Sequence, residues 1–163
     1  MNGRKRHLLV DVLGLVLMVV VHAASTQEQD GAQLLLERVR GRHPRLRLIW
    51  ADGGYNVQWL IEWVQSVCHW VLEIVKRPAG SQGFVLLPRR WIVERTLGWL
   101  SHYRVLSKDY EVLPRNSEAV VYVAMIHLMV RRLARSPASA PPQWDFSDAL
   151  LANALAGEHP PSI

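Results

Sequence analysis

The stretch Leu46-Arg-Leu-Ile-Trp-Ala-Asp-Gly-Gly-Tyr55 decides how this chain of 163 residues folds. Its apolar run predicts a buried strand, and Asp52 follows at the carboxyl end, where side chains of an α/β sheet point into a crevice. Gly53 and Gly54 carry no side chains, which allows a ligand to approach the Asp52 carboxylate closely. Because Asp-Gly is also a common turn dipeptide, the same residues fit an ordinary strand-to-helix turn. The pattern therefore predicts the strand and leaves both roles of Asp52 open.

A second acidic residue, Glu94, lies in a stretch rich in Arg and Trp, Pro88-Arg-Arg-Trp-Ile-Val-Glu-Arg-Thr-Leu-Gly-Trp-Leu100. Pro88 suits the first position of a helix, which we expect to run to about residue 102. Two carboxylates that meet at one site bind a hard divalent cation, and such a cation on a basic surface indicates phosphodiester chemistry. The alternative is a solvated helix face on which Arg90 and Glu94 form a weak ion pair.

The charge of the chain is distributed unevenly along its length. All 19 Lys and Arg residues lie at or before Arg135, together with 11 of the 14 acidic residues, so that residues 1–135 carry a net charge of +8. This excess favours a polyanionic partner, of which nucleic acid is the simplest. Cys68 is the single cysteine, which excludes a disulfide framework and a cysteine zinc site and fits a reduced, cytoplasmic setting.

The N-terminal segment resembles a signal peptide, because Arg4-Lys-Arg6 is followed by an apolar stretch up to Val21. However, Asp11 lies inside that stretch, and a charge there opposes membrane insertion. Asp11-Val-Leu-Gly14 also has the composition of a turn between two Val-rich strands. We therefore predict a β-hairpin and no membrane segment; export or membrane anchoring remains the alternative for residues 4–25.

The remaining pattern predicts an α/β domain with a mixed sheet flanked by helices. Predicted strands cover residues 7–12, 15–23, 46–51 and 70–75, and predicted helices cover 29–42, 56–67, 88–102 and 118–134. Asp30 and Asn56 are the expected N-caps of the first two helices. We expect a loop at 104–114 and another at 77–83. Residues 1–135 form the predicted domain, and residues 136–163 form a Ser/Ala/Pro linker and a disordered tail.

Other residue types carry weaker signals. No two of the seven histidines have metal-ligand spacing on a shared face, so each is expected at the surface or at a boundary. Cys68 is expected to be a small buried hydrophobe. Gly98 interrupts a predicted helix and suggests a close approach there. The basic runs Arg4 to Arg6 and Arg42 to Arg47 are able to contact phosphates, although charge runs are usually only solvated.

Three stretches together resemble the catalytic domain of DDE transposases from bacterial insertion sequences: Gly3-Arg-Lys-Arg-His-Leu-Leu-Val-Asp11, Ala51-Asp-Gly-Gly-Tyr55, and Arg90 to Leu100 with Tyr103-Arg104 and Lys108-Asp-Tyr-Glu111. The resemblance covers about residues 2–135. It implies a ribonuclease H-like fold in which three acids hold two Mg²⁺ ions at a DNA phosphate. Asp52 matches the second acid and Glu94 the last.

The resemblance also implies a DNA-contacting set, which consists of Arg90, Arg95, Arg104 and Lys108. Arg90 matches an arginine that the family places four residues before the final Glu. The family also has a Tyr three residues before this Arg and a Lys seven residues after the Glu. Leu87 and Ser101 occupy those two positions here, so Arg104 or Lys108 is the candidate substitute for the downstream base.

One part of the family pattern is missing. The family fold begins with three antiparallel strands, the first of which carries the first acid, but only two strands precede residue 29 here. By this count Asp11 lies at a hairpin turn and is not the first acid. We therefore expect a transposase fragment that lacks its first strand and works with an upstream half or a homologous subunit, inactive alone. The alternative is a DNA-binding or regulatory fragment that associates with a full-length transposase.

Overall fold

The computed structural model describes residues 4–75, 90–107 and 111–134. The elements in chain order are β1 (Arg4–Val10), β2 (Val16–Ala23), α1 (Glu28–Val39), β3 (Leu48–Ala51), a 3₁₀ turn (Gly53–Tyr55), α2 (Gln58–Trp63), which continues as a π-helical turn (Val64–Cys68), β4 (Val71–Ile74), α3 (Arg90–Ser101), α4 (Arg104–Ser107) and α5 (Pro114–Leu133). The expected loop at 77–83, the expected helix start at Pro88 and the expected tail at 136–163 lie outside the described residues.

The N-terminal segment is a β-hairpin, which confirms that prediction. β1 and β2 pair antiparallel, with a register shift between Leu9 and Val10. Asp11 Oδ1 accepts hydrogen bonds from the backbone N–H groups of Leu13 (2.9 Å) and Leu15 (2.8 Å). Gly14 has φ of +80°, a conformation that favours glycine. The Asp11 carboxylate therefore organises the turn, as its sequence context predicted.

Strand β2 divides the core into two layers. Its side chains alternate between the faces of the sheet, because strand residues have a period of two. Met18 and Val20 face a cluster built from α1, β3, α2 and β4. Val19 and Val21 face a second cluster built from α3, α4 and α5. All four are buried, so β2 is covered on both faces, as its near-continuous apolar sequence predicts.

The strands form two separate pairs within the described residues. β1 and β2 are antiparallel, whereas β3 and β4 are parallel, and no backbone pairing joins the two sheets. The chain is thus α/β with both strand directions, as predicted. The single mixed sheet that we expected is instead interrupted between β1 and β3.

The first two helices begin without the caps that the sequence suggested. α1 begins at Glu28, with Gln27 at the cap position and no side-chain cap hydrogen bond. Asp30 therefore lies in the first turn, where its negative charge interacts favourably with the positive end of the helix dipole. α2 begins at Gln58 after Val57. Asn56 instead closes the preceding 3₁₀ turn, because its N–H donates to Gly53 O.

The segment after α3 contains more helix than predicted. Residues 104–107 form the short helix α4, where we expected a loop, because Leu106 is buried at 5% exposure in the second core cluster. α5 begins at Pro114, four residues earlier than predicted, since proline is well tolerated at a first helical position. Tertiary burial and proline geometry explain both differences.

The described part of the chain divides into two units. The described residues up to Leu128 belong to the first unit. The described part of the second begins at Met129 and contains the end of α5, where Val130 is 56% and Leu133 is 87% exposed. The predicted boundary at residue 135 stays a prediction. Within the described ranges, no helix is both long and apolar enough to cross a bilayer.

Candidate active site

A cavity of about 320 Å³ lies at the carboxyl end of β3. Its wall contains Ile49 to Asp52 from β3 and the residue that follows it, together with Val93, Glu94 and Leu97 from α3. Residues of β1, α1, the 3₁₀ turn, α2 and β4 also line it. Asp52 and Glu94, which are far apart in sequence, therefore line one cavity.

Of the two roles that the sequence left open for Asp52, the structure shows the role in a turn, and the role in chemistry stays a prediction. Its Oδ1 accepts a hydrogen bond from Gly54 N at 2.9 Å and caps the 3₁₀ turn Gly53–Tyr55. Its second oxygen, Oδ2, makes no hydrogen bond with the described residues. Asp52 is partly exposed at the wall of the cavity. The turn thus orients the carboxylate and leaves one oxygen for a ligand.

Glu94 reaches the same cavity from α3, whose position is fixed by the hairpin turn. Two residues further along α3, the buried Thr96 hydroxyl donates to Gly14 O at 2.8 Å. A Cβ on Gly14 would lie 2.8 Å from Thr96 Oγ1 and 3.0 Å from the Trp99 ring, so only glycine permits this approach. The hairpin turn is therefore a docking point for α3. Glu94 itself is exposed.

The sequence did not reveal a histidine pair beside this cavity. His7 and His22 stack with their ring centroids 4.7 Å apart. His7 is buried at 5% exposure, so its expected place at the surface or a boundary is wrong. Its Nδ1 lies 3.0 Å from the Tyr55 hydroxyl, in hydrogen-bond contact, and both residues line the cavity. Its Nε2 lies 3.6 Å from Glu28 Oε2, which is too long for a hydrogen bond.

Gly31 explains how this pair fits against α1. A Cβ on Gly31 would lie 2.5 Å from Nε2 of His7 and 2.5 Å from Nε2 of His22. Both nitrogens are buried, and neither has a hydrogen-bond partner within the described ranges. Successive residues of a strand alternate between the two faces of the sheet. The register of β1 against β2 therefore decides whether His7 and His22 lie on the same face, and the sequence does not show that register.

Burial dominates the protonation of this cluster. It lowers the pKa of His7, and the adjacent His22 lowers it further, against an opposing effect of Glu28. Burial likewise raises the pKa of the Tyr55 phenol, assisted by the carboxylates of Glu28 and Asp52. The hydrogen bond from Lys5 lowers the pKa of Glu28, whose carboxylate lies 3.0 Å from Lys5 Nζ. His7 and Tyr55 are therefore neutral near pH 7.

We predict that the chain loses stability in mild acid. The pKa of His7 is below its ordinary 6.5 in the folded chain. The unfolded chain therefore binds a proton first as the pH falls, and stability present above about pH 6.5 is lost below it. The slope of the free energy of unfolding against pH is at most about 1.4 kcal/mol per pH unit for one proton.

Urea unfolding at several pH values measures this slope. His7→Gln should flatten the profile, whereas the exposed control His102→Gln should leave it unchanged; equal profiles for both would contradict the prediction.

The predicted DNA-contacting residues differ in how far the structure describes them. The Arg95 guanidinium lies between two indoles, 4.2 Å from the Trp91 ring centroid and 4.8 Å from that of Trp99. Arg104 is exposed at the start of α4. Arg90 begins α3, but its side chain is outside the described part, as is the whole of Lys108. Their contacts with DNA stay predictions, and stacking on tryptophan accounts for the position of Arg95.

The two carboxylates fit a magnesium ion as partial ligands. Mg²⁺ is commonly held by one or two carboxylates, with water and substrate phosphates supplying the other oxygens. Asp52 and Glu94 are the acids of the cavity wall. Within the described ranges, no group of three His, Cys, Asp or Glu residues is arranged to hold a metal ion. The donor set thus fits a site that substrate or a further acid completes.

The sequence is similar to transposases. The sequence model of the family described as Transposase DDE domain matches residues 1–129. A protein of Burkholderia cepacia named "Putative transposase for insertion sequence element IS402" is 30% identical over 118 residues. That match covers 67% of this chain and 54% of the relative, so the chain spans about half the length of the curated relative that it matches. No solved structure matches the chain significantly. The residues that the family matches include Asp52 and Glu94.

Proposed function

Since this chain belongs to the transposase DDE domain family, we propose that it acts in DNA transposition and that Asp52 and Glu94 are carboxylates of its active site. One observation supports this assignment above the others: both carboxylates line a single cavity, although they lie on different elements. Asp52 follows β3, and Glu94 is on α3. Transposition requires cleavage and joining of DNA phosphodiesters, for which clustered carboxylates and a divalent cation are suited.

Asp52 and Glu94 are the residues that would hold Mg²⁺ in this proposal. When bound, the ion supplies positive charge against the phosphate undergoing substitution. The residues around it position the carboxylates. The Gly54 N–H fixes Asp52 through its Oδ1, and the Thr96 contact with the hairpin fixes α3. Neutral His7 and Tyr55 beside the carboxylates add no charge that would compete for the ion.

We also propose that the chain is a fragment whose active site is incomplete. The family resemblance implies a third acid on a strand that precedes β1, and Asp11 does not replace it. Asp11 Oδ1 is engaged in the hairpin turn, and Asp11 does not line the cavity that contains Asp52. With one ligand missing, the remaining carboxylates repel each other with less compensation and hold the cation weakly.

We predict that the isolated chain nicks DNA little or not at all in the presence of Mg²⁺. The measurement is conversion of supercoiled plasmid to nicked circles, with the metal replaced by a chelator as the blank. Robust nicking that Asp52→Asn abolishes would refute the proposal that the chain is an inactive fragment. It would support the proposal that Asp52 is an active-site carboxylate. Robust nicking that Asp52→Asn and Glu94→Gln both leave intact would refute the chemistry as well.

A second candidate function is DNA binding without cleavage, in a regulatory complex with a full-length transposase. The positions of the basic side chains without internal partners indicate which surface would bind DNA. Several basic side chains serve the fold: Arg4 donates to Glu111 O, Arg6 donates to Leu106 O, and Arg38 pairs with Glu118 at 3.0 Å. These are therefore structural anchors, and the basic run at residues 4–6 is a poor candidate for contacting phosphate.

The loop between α1 and β3 has cations without such partners. Arg42 and Arg45 are exposed, and the guanidinium group of neither makes a hydrogen bond or ion pair within the described part of the chain. Arg40 is also exposed, and Arg47 bonds two backbone carbonyls nearby, those of Pro44 and Leu46. A guanidinium group without an internal partner is able to bind a phosphate without first breaking a contact within the protein. We propose that this loop contacts the phosphate backbone.

We predict that the double variant Arg42→Gln with Arg45→Gln lowers the dependence of DNA affinity on salt. Each lost phosphate contact removes about 0.9 from the slope of log K against log salt concentration, so that the pair removes roughly two units. Fluorescence anisotropy with a duplex at several salt concentrations measures the slope. The charge-matched control is Arg115→Gln with Arg131→Gln, both exposed on α5. Equal slopes for the two double variants would show that only net charge matters.

The proposed setting follows from the substrate. Chromosomal and element DNA in a bacterium lies in the cytoplasm, where the single cysteine stays reduced. Cys68 is buried, as predicted, and burial raises the pKa of its thiol, so it is suited to packing and not to nucleophilic chemistry. The proposed partners are DNA and either a homologous transposase subunit or the upstream half of a split transposase.

A further inference from the structure

Helix α5 carries apolar side chains on two opposite sides. On the inner side, Val121, Ala124 and Met125 are buried in the second core cluster. The opposite side carries exposed apolar residues, which we call the outer stripe: Val123 (65% exposed), Ile126 (55%), Val130 (56%) and Leu133 (87%). A helix at the surface of a domain normally presents polar residues to water, and a helix that is apolar all round is normally buried. The described residues do not bury the outer stripe, so it is suited to bind a further segment.

The spacing of the outer stripe is that of two helices packed side by side. Its members follow one another at intervals of three, four and three residues, which is the alternation found along the seam between paired helices. The β-branched Val123 and Val130 alternate with Ile126 and Leu133, a composition that such seams favour. The outer stripe therefore suits an apolar helix that lies along α5.

The exposed charge of α5 is positive. The charged residues of this helix are Arg115, Glu118, Arg131 and Arg132. Arg115 and Arg131 are exposed, near the two ends of the helix. Glu118 pairs with Arg38 at 3.0 Å, so its charge is already compensated. A helix with acidic side chains would be attracted to this surface, whereas a second copy of α5, which carries the same arginines, would be repelled.

The chain itself contains a segment of this composition. Residues 136–163, which lie outside the described residues, include no Lys or Arg and three acidic residues, Asp145, Asp148 and Glu158. Apolar residues recur among these acids with a spacing that places them on one side of a helix: Leu150, Leu151, Ala154 and Leu155. A helix of about ten residues is marginal in water by itself. Residues 147–156 therefore need an apolar surface in order to fold as a helix.

The connection is long enough for this segment to reach the outer stripe. α5 ends at Leu133, and residues 134–146, when fully extended, span up to about 45 Å. The connection contains three prolines, which oppose a simple continuation of α5: Pro137, Pro141 and Pro142. A helix that folds back after such a connection lies antiparallel to the one before it. This direction brings Asp145 and Asp148 to the end of α5 that carries Arg131.

We propose that residues 147–156 fold as a helix on the outer stripe of α5, antiparallel to it, and shield the stripe from other molecules. The apolar side of the segment packs on the stripe, and its acids lie beside the exposed arginines of α5. A segment for which the sequence predicts disorder is thus ordered by the surface that it covers. This inference concerns the packing of the chain on itself and does not rest on the proposed function.

Hydrogen exchange of the full chain, without metal or DNA, tests this proposal. The reference is a synthetic peptide of residues 143–163, in which the segment has no surface to fold on. We expect the backbone amides of residues 147–156 to exchange roughly tenfold more slowly in the chain than in the peptide, because a docked helix opens less often. The protection should be the same at every concentration of the chain, since the contact lies within one molecule.

Substitutions on both sides of the contact make the test specific. Val123→Asp on α5 and Leu151→Asp in the segment should each return the exchange of residues 147–156 to the rate of the peptide, because a charge placed in an apolar contact opposes docking. Two matched controls should keep the protection. Leu34→Asp lies at an exposed position of α1 (45%), and Ala149→Asp lies two residues before Leu151, where a helix places it on the other side.

Several outcomes would overturn the proposal. Equal exchange in the chain and in the peptide would do so, as would protection that survives both Val123→Asp and Leu151→Asp or that the controls lose to the same extent. Protection that rises with concentration would assign the contact to a second copy. Faster exchange of the buried amides of β2 would reveal that Val123→Asp unfolds the chain; Leu151→Asp, which leaves the sequence of α5 unchanged, then decides the question.

Discussion

Asp52→Asn and Glu94→Gln should each reduce Mg²⁺-dependent DNA cleavage by roughly a thousandfold, because a carboxylate that holds the metal contributes several kcal/mol to transition-state stabilisation. Asn retains an Oδ1 that accepts from Gly54 N, so the 3₁₀ turn is preserved while the charge is lost. The measurement is plasmid nicking by the chain together with the unmatched part of its Burkholderia cepacia relative, supplied as a separate polypeptide. The exposed control Asp30→Asn on α1 should cut at the unsubstituted rate.

A second readout does not depend on cleavage. Terbium is a hard cation that takes oxygen ligands, and its luminescence is sensitised by a nearby tryptophan. Trp50 lines the same cavity as the two carboxylates. We expect terbium luminescence from the unsubstituted chain, competed by Mg²⁺ and lost in both variants. Unchanged luminescence in both variants, or in either one alone, would show that the two side chains do not share an ion.

Gly31→Ala should lower the free energy of unfolding by about 2–3 kcal/mol, a typical cost of overpacking a filled interior. The new Cβ would lie 2.5 Å from Nε2 of both His7 and His22. These rings are stacked on each other, and His7 is held by Tyr55, so they cannot move apart easily. Urea unfolding measures the loss. His22→Ala should rescue part of it, since it removes one of the two clashing rings.

Gly98→Ala is the matched control for that substitution. Gly98 lies inside α3, and a Cβ placed there meets nothing within 4 Å. Alanine is favoured over glycine in a helix interior by up to about 1 kcal/mol, so this variant should be slightly more stable. The sequence suggested a close approach at Gly98, and none of the described residues makes one. Destabilisation of both variants to the same extent would mean that the histidine contacts do not explain Gly31.

Much of the local structure was predictable because it depends on neighbours in sequence. The hairpin follows from Asp11 and Gly14, whose carboxylate and positive φ form the turn that their spacing predicts. The strand before Asp52 and the helix around Glu94 follow from apolar runs and from helical composition. The resemblance of these segments to DDE transposases was confirmed by the family match over residues 1–129.

Contacts between distant residues were not predictable in this way. The helix at 104–107 depends on burial of Leu106 against the far side of β2. The pairing of His7 with His22 depends on strand register, since a shift of one residue would reverse the faces. The engagement of Arg4 and Arg6 with carbonyls around residues 106–112 removes them from the free cations. No local pattern encodes these pairings.

The sequence by itself determined most of the elements, the basic character of residues 1–135 and the candidate carboxylates Asp52 and Glu94, because periodicity, turn composition and charge act over a few residues. Only the tertiary structure decided that Asp52 and Glu94 line one cavity and that the described strands form two separate sheets. The physical reason is that strand pairing and helix docking select among many arrangements of the same elements. That selection depends on long-range packing of side chains and on backbone hydrogen bonds across the sheet.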